Sequence, residues 1–447
     1  MKSLTVPLRN KLENTVKAAR DLAEEAAKAA IEQIGVHLKE KPTWLGNEQA
    51  RLRVRLRAHG RQLGDIRQAD GRQEINHLIA ETAYEHWHRM LFARFLAENH
   101  LLIHPDGVPV SLQDCEELAV DEGARSGWEL AGRYASRMLP QVFRADSPVL
   151  EIILAPEHQK GLEKLLSDLE SEVFTASDSL GWVYQFWQAK QKEEVNRSEV
   201  KIGADELPAV TQLFTEPYMV QFLLHNSLGA WWVANHRGEE PPVELAYLRT
   251  LEDGTPAAGT FEGWPKRLAD LKMLDPCMGS GHFLVTFFLM LVPMRMKEEG
   301  LAAQEACDAV IRDNIHGLEI DSRCTEIAAF ALALAAWAYP DAGGYRPLPE
   351  MNLACCGLSV SASKEDWMAF ANGDKRLADG MTTLYNLFSD APILGSLINP
   401  RRFVQGNIVT AGYDELKPLM EKALEREDSG DNAERMEIGV AAKGLAK

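Results

Sequence analysis

The residues that could do chemistry in this 447-residue chain concentrate in one stretch, Leu271 to Leu284, which reads LKMLDPCMGSGHFL. A short apolar run, an Asp-Pro pair and a Gly-Ser-Gly turn precede a long apolar helix, which is the order of a strand, a tight loop and a helix N-terminus. Gly279 and Gly281 permit positive φ values and close backbone approach, and the N–H groups of the new helix favour negative charge. The stretch therefore predicts a site for an anionic or zwitterionic ligand.

An acidic side chain at the end of this strand narrows the choice of ligand. Asp275 would repel a pyrophosphate, but its carboxylate can accept hydrogen bonds from an ammonium group. S-adenosylmethionine carries an ammonium beside a carboxylate, and that carboxylate suits a helix N-terminus. An ordinary strand-to-helix turn that holds no ligand is the alternative interpretation of the same residues.

The loop resembles the first motif of the adenine-specific DNA methyltransferases, which reads DP-x-x-GSG-x-F. The positions that match are Asp275, Pro276, Gly279, Ser280, Gly281 and Phe283. The resemblance implies a Rossmann-like class I fold, S-adenosylmethionine as the cofactor and the N6 amine of adenine as the target.

A second strand-like segment, IHGLEID from Ile315 to Asp321, follows in the order that this family shows. In nucleotide-binding folds an acidic residue at the end of the second strand accepts hydrogen bonds from a ribose diol. Glu319 is the candidate for this role, Ile320 the candidate for contact with the adenine face, and Asp321 completes the strand end. A solvated strand end is the alternative.

Upstream, the segment TQLFTEPYMVQ resembles the family motif whose Phe-Thr pair packs over the methionine end of the cofactor. The resemblance assigns Phe214, Thr215 and Pro217 to the cofactor site. The residues alone predict that Thr215 caps a helix, that Pro217 lies in its first turn and that Phe214 staples it. The two interpretations are compatible, because a cap would fix the residues beside the pocket.

The adenine end and the target site are incomplete. Leu348 to Val360 matches the third strand of the family, but Leu358 stands where relatives often place an Asp or Asn that accepts from adenine. The catalytic motif of the family, Asn or Asp followed by Pro-Pro and an aromatic, does not occur. Asn399-Pro400 leads into Arg-Arg-Phe and is interpreted as a loop before a strand. Catalytic residues therefore stay unassigned, and the chain alone is expected to be inactive.

The coarse organisation is a mixed α/β chain with two parts. Residues 1–200 show helical spacing of apolar residues and are predicted to form a helical domain that contacts DNA or a partner. Residues 201–447 are predicted to form the Rossmann-like cofactor-binding domain, truncated before the catalytic motif. The segment WHRMLFARFLAENHLL resembles the helical region of the PglX-type methyltransferases of BREX phage-defence systems.

Charge restricts how the chain could contact nucleic acid. The net charge of −18 excludes a generally basic surface, so any DNA contact must be local. The candidate segment is an arginine run in RLRVRLRAHGR. An exposed edge strand or a solvated helix face would show the same run. The arginines predicted to contact DNA are Arg51, Arg53, Arg55, Arg57 and Arg61.

Composition limits compartment and metal content. Six cysteines without a CxxC pair or histidines at zinc spacing predict reduced cytosolic thiols and no metal. The longest apolar runs are too short to span a bilayer, so a cytoplasmic chain without a membrane partner is expected. His86 and His88 are predicted to be helix-surface residues.

Together these features predict the cofactor-binding part of an adenine-N6 DNA methyltransferase from a phage-defence or restriction-modification system. Double-stranded DNA is the expected partner, with other defence-system subunits or a C-terminal polypeptide as further partners. A non-catalytic cofactor- or DNA-docking subunit that needs a second polypeptide is one alternative. A methyltransferase for RNA or protein is the other.

Overall fold

The computed structural model describes residues 3–143, 147–198, 214–259, 261–356, 360, 363–394, 397–405 and 411–428. Most of these residues are helical, and a small parallel sheet lies in the middle of the chain. Leu358, which stands where relatives often place an acceptor for adenine, lies outside the described residues. None of the helices in the described ranges is both long and apolar enough to cross a membrane.

Nine helices precede residue 199 in the described part of the chain. They are α1 (Val6–Ile34), α2 (Asn47–Gln62), α3 (Asn76–Glu98), α4 (Leu112–Leu118), α5 (Gly127–Met138), α6 (Pro140–Phe143), α7 (Pro156–Ser167), α8 (Ser171–Thr175) and α9 (Ser179–Ser198). The central helix α3 buries residues around its whole circumference and contacts α1 and α5. A helix that buries side chains on every side must be surrounded by other elements, and the polar residues among them, such as Glu81 and Arg94, are paired with neighbours.

The sheet and its flanking helices follow the order strand, helix, helix, strand, helix, strand. The elements are β1 (Met273–Asp275), α12 (His282–Glu299), α13 (Ala303–Asp313), β2 (Ile315–Glu319), α14 (Ser322–Trp337) and β3 (Asn352–Cys355). The strands lie parallel in the order β1-β2-β3, with Asp275 opposite Gly317 and Glu319 opposite Cys355. The carboxyl ends of β1 and β2 therefore meet at one edge of the sheet.

Before the sheet, α10 (Pro217–Leu224) continues through a π-helical turn at His225–Gly229 into α11 (Ala230–Asn235). The described helices after the sheet are α15 (Lys364–Ala369), α16 (Lys375–Ser389), α17 (Ala391–Leu394), α18 (Pro400–Gln405) and α19 (Tyr413–Asp428). These last helices enclose a core of their own that includes Trp367 and Phe388.

Helix α14 joins the helical region to the sheet. One of its faces packs with the core of α1 to α9, and the other face packs with the core around β1, β2 and α12. Phe330 of α14 stacks on Phe92 of α3 with ring centroids 3.8 Å apart and an interplanar angle of 9°. Such stacking adds to the burial of both rings. The helical region and the region around the sheet thus share one helix.

The helix and strand predictions hold for the main elements, with three corrections. Asn399 does not precede a strand: its side chain accepts from the Arg402 N–H at 2.9 Å, and α18 starts beside it. The arginine run is helical and not an edge strand. His88 is buried between Tyr84 and Phe92 and not on the surface, because α3 is surrounded on all sides.

Candidate cofactor site

The loop between β1 and α12 is held by hydrogen bonds along its length. Asp275 Oδ1 accepts from the Cys277 N–H at 3.1 Å, which turns the chain at the end of the strand. The Met278 N–H donates to the Leu318 carbonyl of β2 at 3.0 Å, and the Gly281 N–H donates to the Met278 carbonyl at 2.8 Å. The loop is thereby fixed to the neighbouring strand before the helix begins.

Two glycines make this turn possible. Gly281 has a φ of 80°, and a Cβ there would lie 2.9 Å from both the Cα and the Cβ of Ala328 in α14. Gly279 has a φ of 53° and no heavy atom within 4 Å of a would-be Cβ, so the space above it is open. Both predicted glycine roles thus have a geometric reason, one in close helix packing and one in an open concave loop.

A third glycine was not singled out from the sequence. Gly317 lies in β2, where a Cβ would come within 2.3 Å of Met278 Sδ and 2.9 Å of Leu353 Cδ2. The absence of a side chain at Gly317 therefore leaves space for the Met278 side chain under the loop. The glycine inside the strand-like run IHGLE was the available signal, because a glycine within a strand often marks a close approach.

Glu319 closes the site from the end of β2. Its Oε2 accepts from the Gly279 N–H at 2.7 Å, and its Oε1 accepts from the N–H groups of Ile320 at 2.8 Å and Asp321 at 3.2 Å. The side chain is buried, with 6% of its surface exposed. A carboxylate offers about four acceptor positions, so one remains for a ligand hydroxyl. The two sequence motifs are joined directly by this carboxylate.

Burial shifts both acidic groups of the site in the same direction. It raises the pKa of Glu319, against the hydrogen bonds from Asp321, Gly279 and Ile320, which lower it. Burial also raises the pKa of Asp275, against the hydrogen bond from Cys277. A carboxylate that is withdrawn from water becomes a better acceptor for a cationic or hydroxyl donor, because less water competes for it.

Ile320 and Asp321, the two residues after Glu319, make different contacts. Ile320 is half-buried at the strand end, and its carbonyl accepts from Cys355 Sγ at 3.5 Å. Asp321 caps α14 through the Arg323 N–H at 2.9 Å and accepts the Tyr184 hydroxyl with its second oxygen. Its carboxylate is therefore engaged with α14 and the helical region, although the sequence placed it among the cofactor contacts.

Phe214 lies beside the cofactor loop. Its ring is 5.0 Å from Trp182 and 4.7 Å from His282, the first residue of α12. Its N–H donates to Gln185 Oε1 at 2.8 Å. The ring also lies over Gly181, where a Cβ would come within 2.1 Å of it. The structure thus brings the upstream segment to the start of α12, as the sequence order predicted.

The neighbouring residues differ in part from the sequence prediction. Pro217 is the first residue of α10, as expected for its fixed φ, but Glu216 and not Thr215 occupies the N-cap position, and its side chain makes no capping hydrogen bond. Of the loop positions, Pro276 is exposed and Phe283 packs half-buried against the sheet core. Ser280 lines a narrow apolar cavity toward Phe174 and Phe214.

The predicted DNA-contacting arginines are mostly engaged inside the protein. Arg53 donates to the carbonyls of Gly35 at 2.9 Å and Leu38 at 2.5 Å, and Arg57 donates to that of Val36 at 2.6 Å. Arg53 is 7% exposed.

The other members of the run divide between internal contacts and solvent. Arg55 forms an ion pair with Glu151 at 2.7 Å, Arg61 donates to Gln73 Oε1 at 3.2 Å, and Arg51 is exposed. The run therefore ties α2 to the segments around it, and Arg51 and Arg61 are its exposed arginines.

Comparison with known proteins supports the methyltransferase interpretation of this geometry. Residues 252–343 match the family model of the MmeI DNA-methyltransferase domain. That range contains β1, the glycine loop, β2 and Glu319.

Three curated relatives align over longer parts of the chain. The adenine-specific methyltransferase PglX of Lacticaseibacillus casei (strain Zhang) is 26% identical over 387 residues, which cover 74% of this chain and 31% of that protein. The adenine-specific methyltransferase BrxX of Escherichia coli O9:H4 (strain HS) is 29% identical over 205 residues, 44% of this chain and 17% of that protein. PglX of Streptomyces coelicolor is 29% identical over 148 residues, 31% of this chain and 12% of that protein.

This chain is a relative of the PglX-type adenine-specific methyltransferases. The resemblance inferred from the sequence motifs is thereby confirmed. The chain spans less than one third of the length of the curated relatives that it matches.

Proposed function

We propose that these 447 residues form the cofactor-binding part of an adenine-N6 DNA methyltransferase of a phage-defence system. The observation that carries the proposal is the contact between Glu319 at the end of β2 and the Gly279 N–H of the loop after β1. This contact sets an acidic acceptor, an open glycine loop and a helix N-terminus around one crevice at the carboxyl edge of a parallel sheet. Such a crevice suits a nucleoside that carries a zwitterionic tail.

S-adenosylmethionine fits the chemistry of these groups. Asp275 would accept from its ammonium, the first N–H groups of α12 would hold its carboxylate, and Glu319 would accept from its ribose hydroxyls. Phe214 would pack against the methionine end, and Ile320 against the adenine ring. When bound, the cofactor supplies the methyl group; the residues described here bind and orient it.

The proposed fold is Rossmann-like, with a helical domain at 1–200 and a cofactor-binding domain at 201–447. In the described part of the chain β1 is an edge strand, and its Leu274 is 57% exposed. An apolar side chain and unpaired backbone groups at a strand edge favour the addition of a further strand. We infer that strands and the Asn-Pro-Pro-aromatic motif come from polypeptide outside these 447 residues, either as a continuation or as a separate subunit.

Double-stranded DNA is the proposed substrate. Its target adenine must be extruded from the duplex and its amine aimed at the methyl group, which needs an oriented acceptor and a stacking surface. Neither is assigned in this chain, so the DNA contact proposed here is limited to positioning through phosphates. Arg51, which is exposed at the start of the basic run, is the arginine proposed for this contact.

The test is calorimetric titration of the chain with S-adenosylmethionine. Asp275→Asn and Glu319→Gln should each weaken binding about ten- to a hundredfold, because each removes a charged acceptor worth about 1–3 kcal/mol. Asp253→Asn is the matched control, since the exposed Asp253 accepts only from Thr255 in the contacts that the structure shows. Binding that both site variants leave unchanged would reject the assignment.

A further inference from the structure

A series of hydrogen-bonded residues leads from the helical region to the strand end beside the candidate site. Gln188 of α9 donates to Tyr184 Oη at 2.7 Å, and the Tyr184 hydroxyl donates to Asp321 Oδ2. Both α9 side chains are buried, with 5% and 3% of their surface exposed. Tyr184 and Asp321 are 137 residues apart in the sequence. The contact therefore exists only through the packing of α9 against α14.

The chain of contacts continues from Asp321 to the loop. The Asp321 N–H donates to Glu319 Oε1 at 3.2 Å, and Glu319 Oε2 accepts from the Gly279 N–H at 2.7 Å. Asp321 and Glu319 are two carboxylates in close proximity, and their like charges repel. The Tyr184 hydroxyl holds Asp321 on the side of α9. Glu319 is left facing the loop after β1.

A second contact between the two regions fixes the same strand end. Arg323 of α14 forms an ion pair with Glu81 of α3 at 3.0 Å, and its guanidinium lies 5.0 Å from the ring centre of Tyr84. The carboxylates of Glu81 and Asp321 flank the guanidinium, which balances the buried charge. Helix α14 therefore cannot rotate at its N-terminus without breaking contacts to α3 and α9.

We propose that Tyr184 is a positioning residue for the ribose of the cofactor, acting through Asp321 on Glu319. The inference rests on the proposed function, because it names a further residue of the same site. It assigns to the helical region a direct part in the specificity of cofactor binding, in addition to its packing role. Tyr184 does not touch the ligand; it sets the direction in which the ribose acceptor points.

The experiment compares two ligands by calorimetry, S-adenosylhomocysteine and its 2′-deoxy analogue. In Tyr184→Phe the affinity for the ribose ligand should fall about five- to tenfold, and that for the deoxy ligand by less than about twofold, since only the former uses the Glu319 contact fully. The affinity for the ribose ligand, divided by the affinity for the deoxy ligand, should therefore be lower than in the wild type. Tyr134→Phe is the matched control, because Tyr134 is equally buried and donates to Glu122 at 2.8 Å outside this network.

Three results would overturn the proposal. An equal loss for both ligands in Tyr184→Phe would show a purely structural role, and an unchanged ratio with unchanged affinities would show no role. A wild-type chain that binds neither ligand would reject the proposed function itself, which distinguishes the two failures. If Tyr184→Phe does not fold, Gln188→Met provides a second test, because it removes the donor to the Tyr184 hydroxyl. This variant must also lower the affinity for the ribose ligand relative to that for the deoxy ligand.

Discussion

At the scale of single residues, Gly281 shows how tightly the site is built into the fold. Its positive φ starts α12, and its missing side chain lets α12 approach Ala328 of α14. Two demands coincide at one position, one on backbone conformation and one on space. Substitution there should cost more than at a glycine where only the first demand applies.

Gly281→Ala is expected to destabilise the protein by about 2–3 kcal/mol, the sum of strain at positive φ and displacement of the Ala328 backbone. Gly300→Ala is the control: Gly300 ends α12 with a φ of 70°, and no heavy atom lies within 4 Å of its would-be Cβ. That variant should lose only about 1 kcal/mol. Urea unfolding measures both, and equal losses would show that the contact with Ala328 is easily relaxed.

His86 gives a second residue-scale prediction, on pH. Its Nε2 lies 3.0 Å from the Val149 carbonyl, and burial lowers its pKa to about 4 from 6.5. Because the folded-state pKa lies below the unfolded value, the unfolded chain binds a proton in this window that the folded chain does not. Stability is therefore fully present above the unfolded pKa and is lost as the pH falls toward 4.

The loss associated with His86 should amount to at most about 3 kcal/mol. Urea unfolding of the wild type and of His86→Gln at pH 7 and pH 4.5 tests it. The glutamine can still donate to the Val149 carbonyl but does not titrate, so the variant should lose less stability on acidification. The same loss in both proteins would assign the pH dependence to other groups.

At the scale of elements, two arginines of helix α2 link it by hydrogen bonds to the turn after α1. Arg53 and Arg57 satisfy carbonyls of the turn after α1, and burial lowers the pKa of both guanidinium groups. A turn that leaves several carbonyls pointing inward needs donors from elsewhere, and an arginine supplies five of them. This demand accounts for Arg53 and Arg57 of the basic run.

Arg53→Met should destabilise the chain by about 2–3 kcal/mol, because it leaves the Gly35 and Leu38 carbonyls buried without this donor. Arg51→Gln, two residues away on the exposed side of α2, should change stability by less than about 0.5 kcal/mol. Urea unfolding separates the two. A negligible loss in Arg53→Met would mean that water replaces the guanidinium.

Arg51→Gln also tests the DNA contact. If Arg51 binds a phosphate, the log–log salt slope of duplex affinity should fall by about one unit, equally for all sequences. Fluorescence anisotropy over a range of salt concentrations measures the slope. A slope identical to that of the wild type would leave α2 without a role in DNA binding.

At the scale of the whole molecule, the chain contains the candidate cofactor site, and no acceptor for the target amine is assigned in it. Its net charge of −18 also opposes close approach of DNA except at local basic groups. The helical region is joined to the crevice through α14, so it is packed against the site and is not an independent arm. We therefore expect that methyl transfer needs a further polypeptide that supplies the acceptor motif.

The 447-residue chain alone is expected to transfer no methyl group to DNA. Without an oriented acceptor and a stacking partner the adenine amine is neither exposed nor aimed, and such positioning accounts for many orders of magnitude in rate. Transfer of a tritiated methyl group to mixed genomic DNA tests this, with a longer polypeptide that includes an Asn-Pro-Pro-aromatic segment as the comparison. Robust incorporation by the chain alone would show that it contains the acceptor.

The sequence by itself determined the features that depend on neighbouring residues. Gly279 and Gly281 indicated the turn, the apolar periodicity predicted the helices, and Glu319 at the end of a strand-like run predicted an acceptor at the sheet edge. These patterns can be recognised because backbone conformation and amphipathic spacing are local properties. Their order along the chain was sufficient to identify the relatives.

Only the tertiary structure decided which partner each of these side chains contacts. Asp321 accepts a hydrogen bond from Tyr184, and Arg53 donates to a carbonyl of the turn after α1. Gly317 leaves space for the Met278 side chain. Each of these contacts joins residues far apart in the sequence, and a polar residue has the same appearance in a sequence whether it faces a ligand, solvent or a buried carbonyl. The hydrogen-bonding demand of the surrounding fold selects among these partners, because buried polar groups must be satisfied.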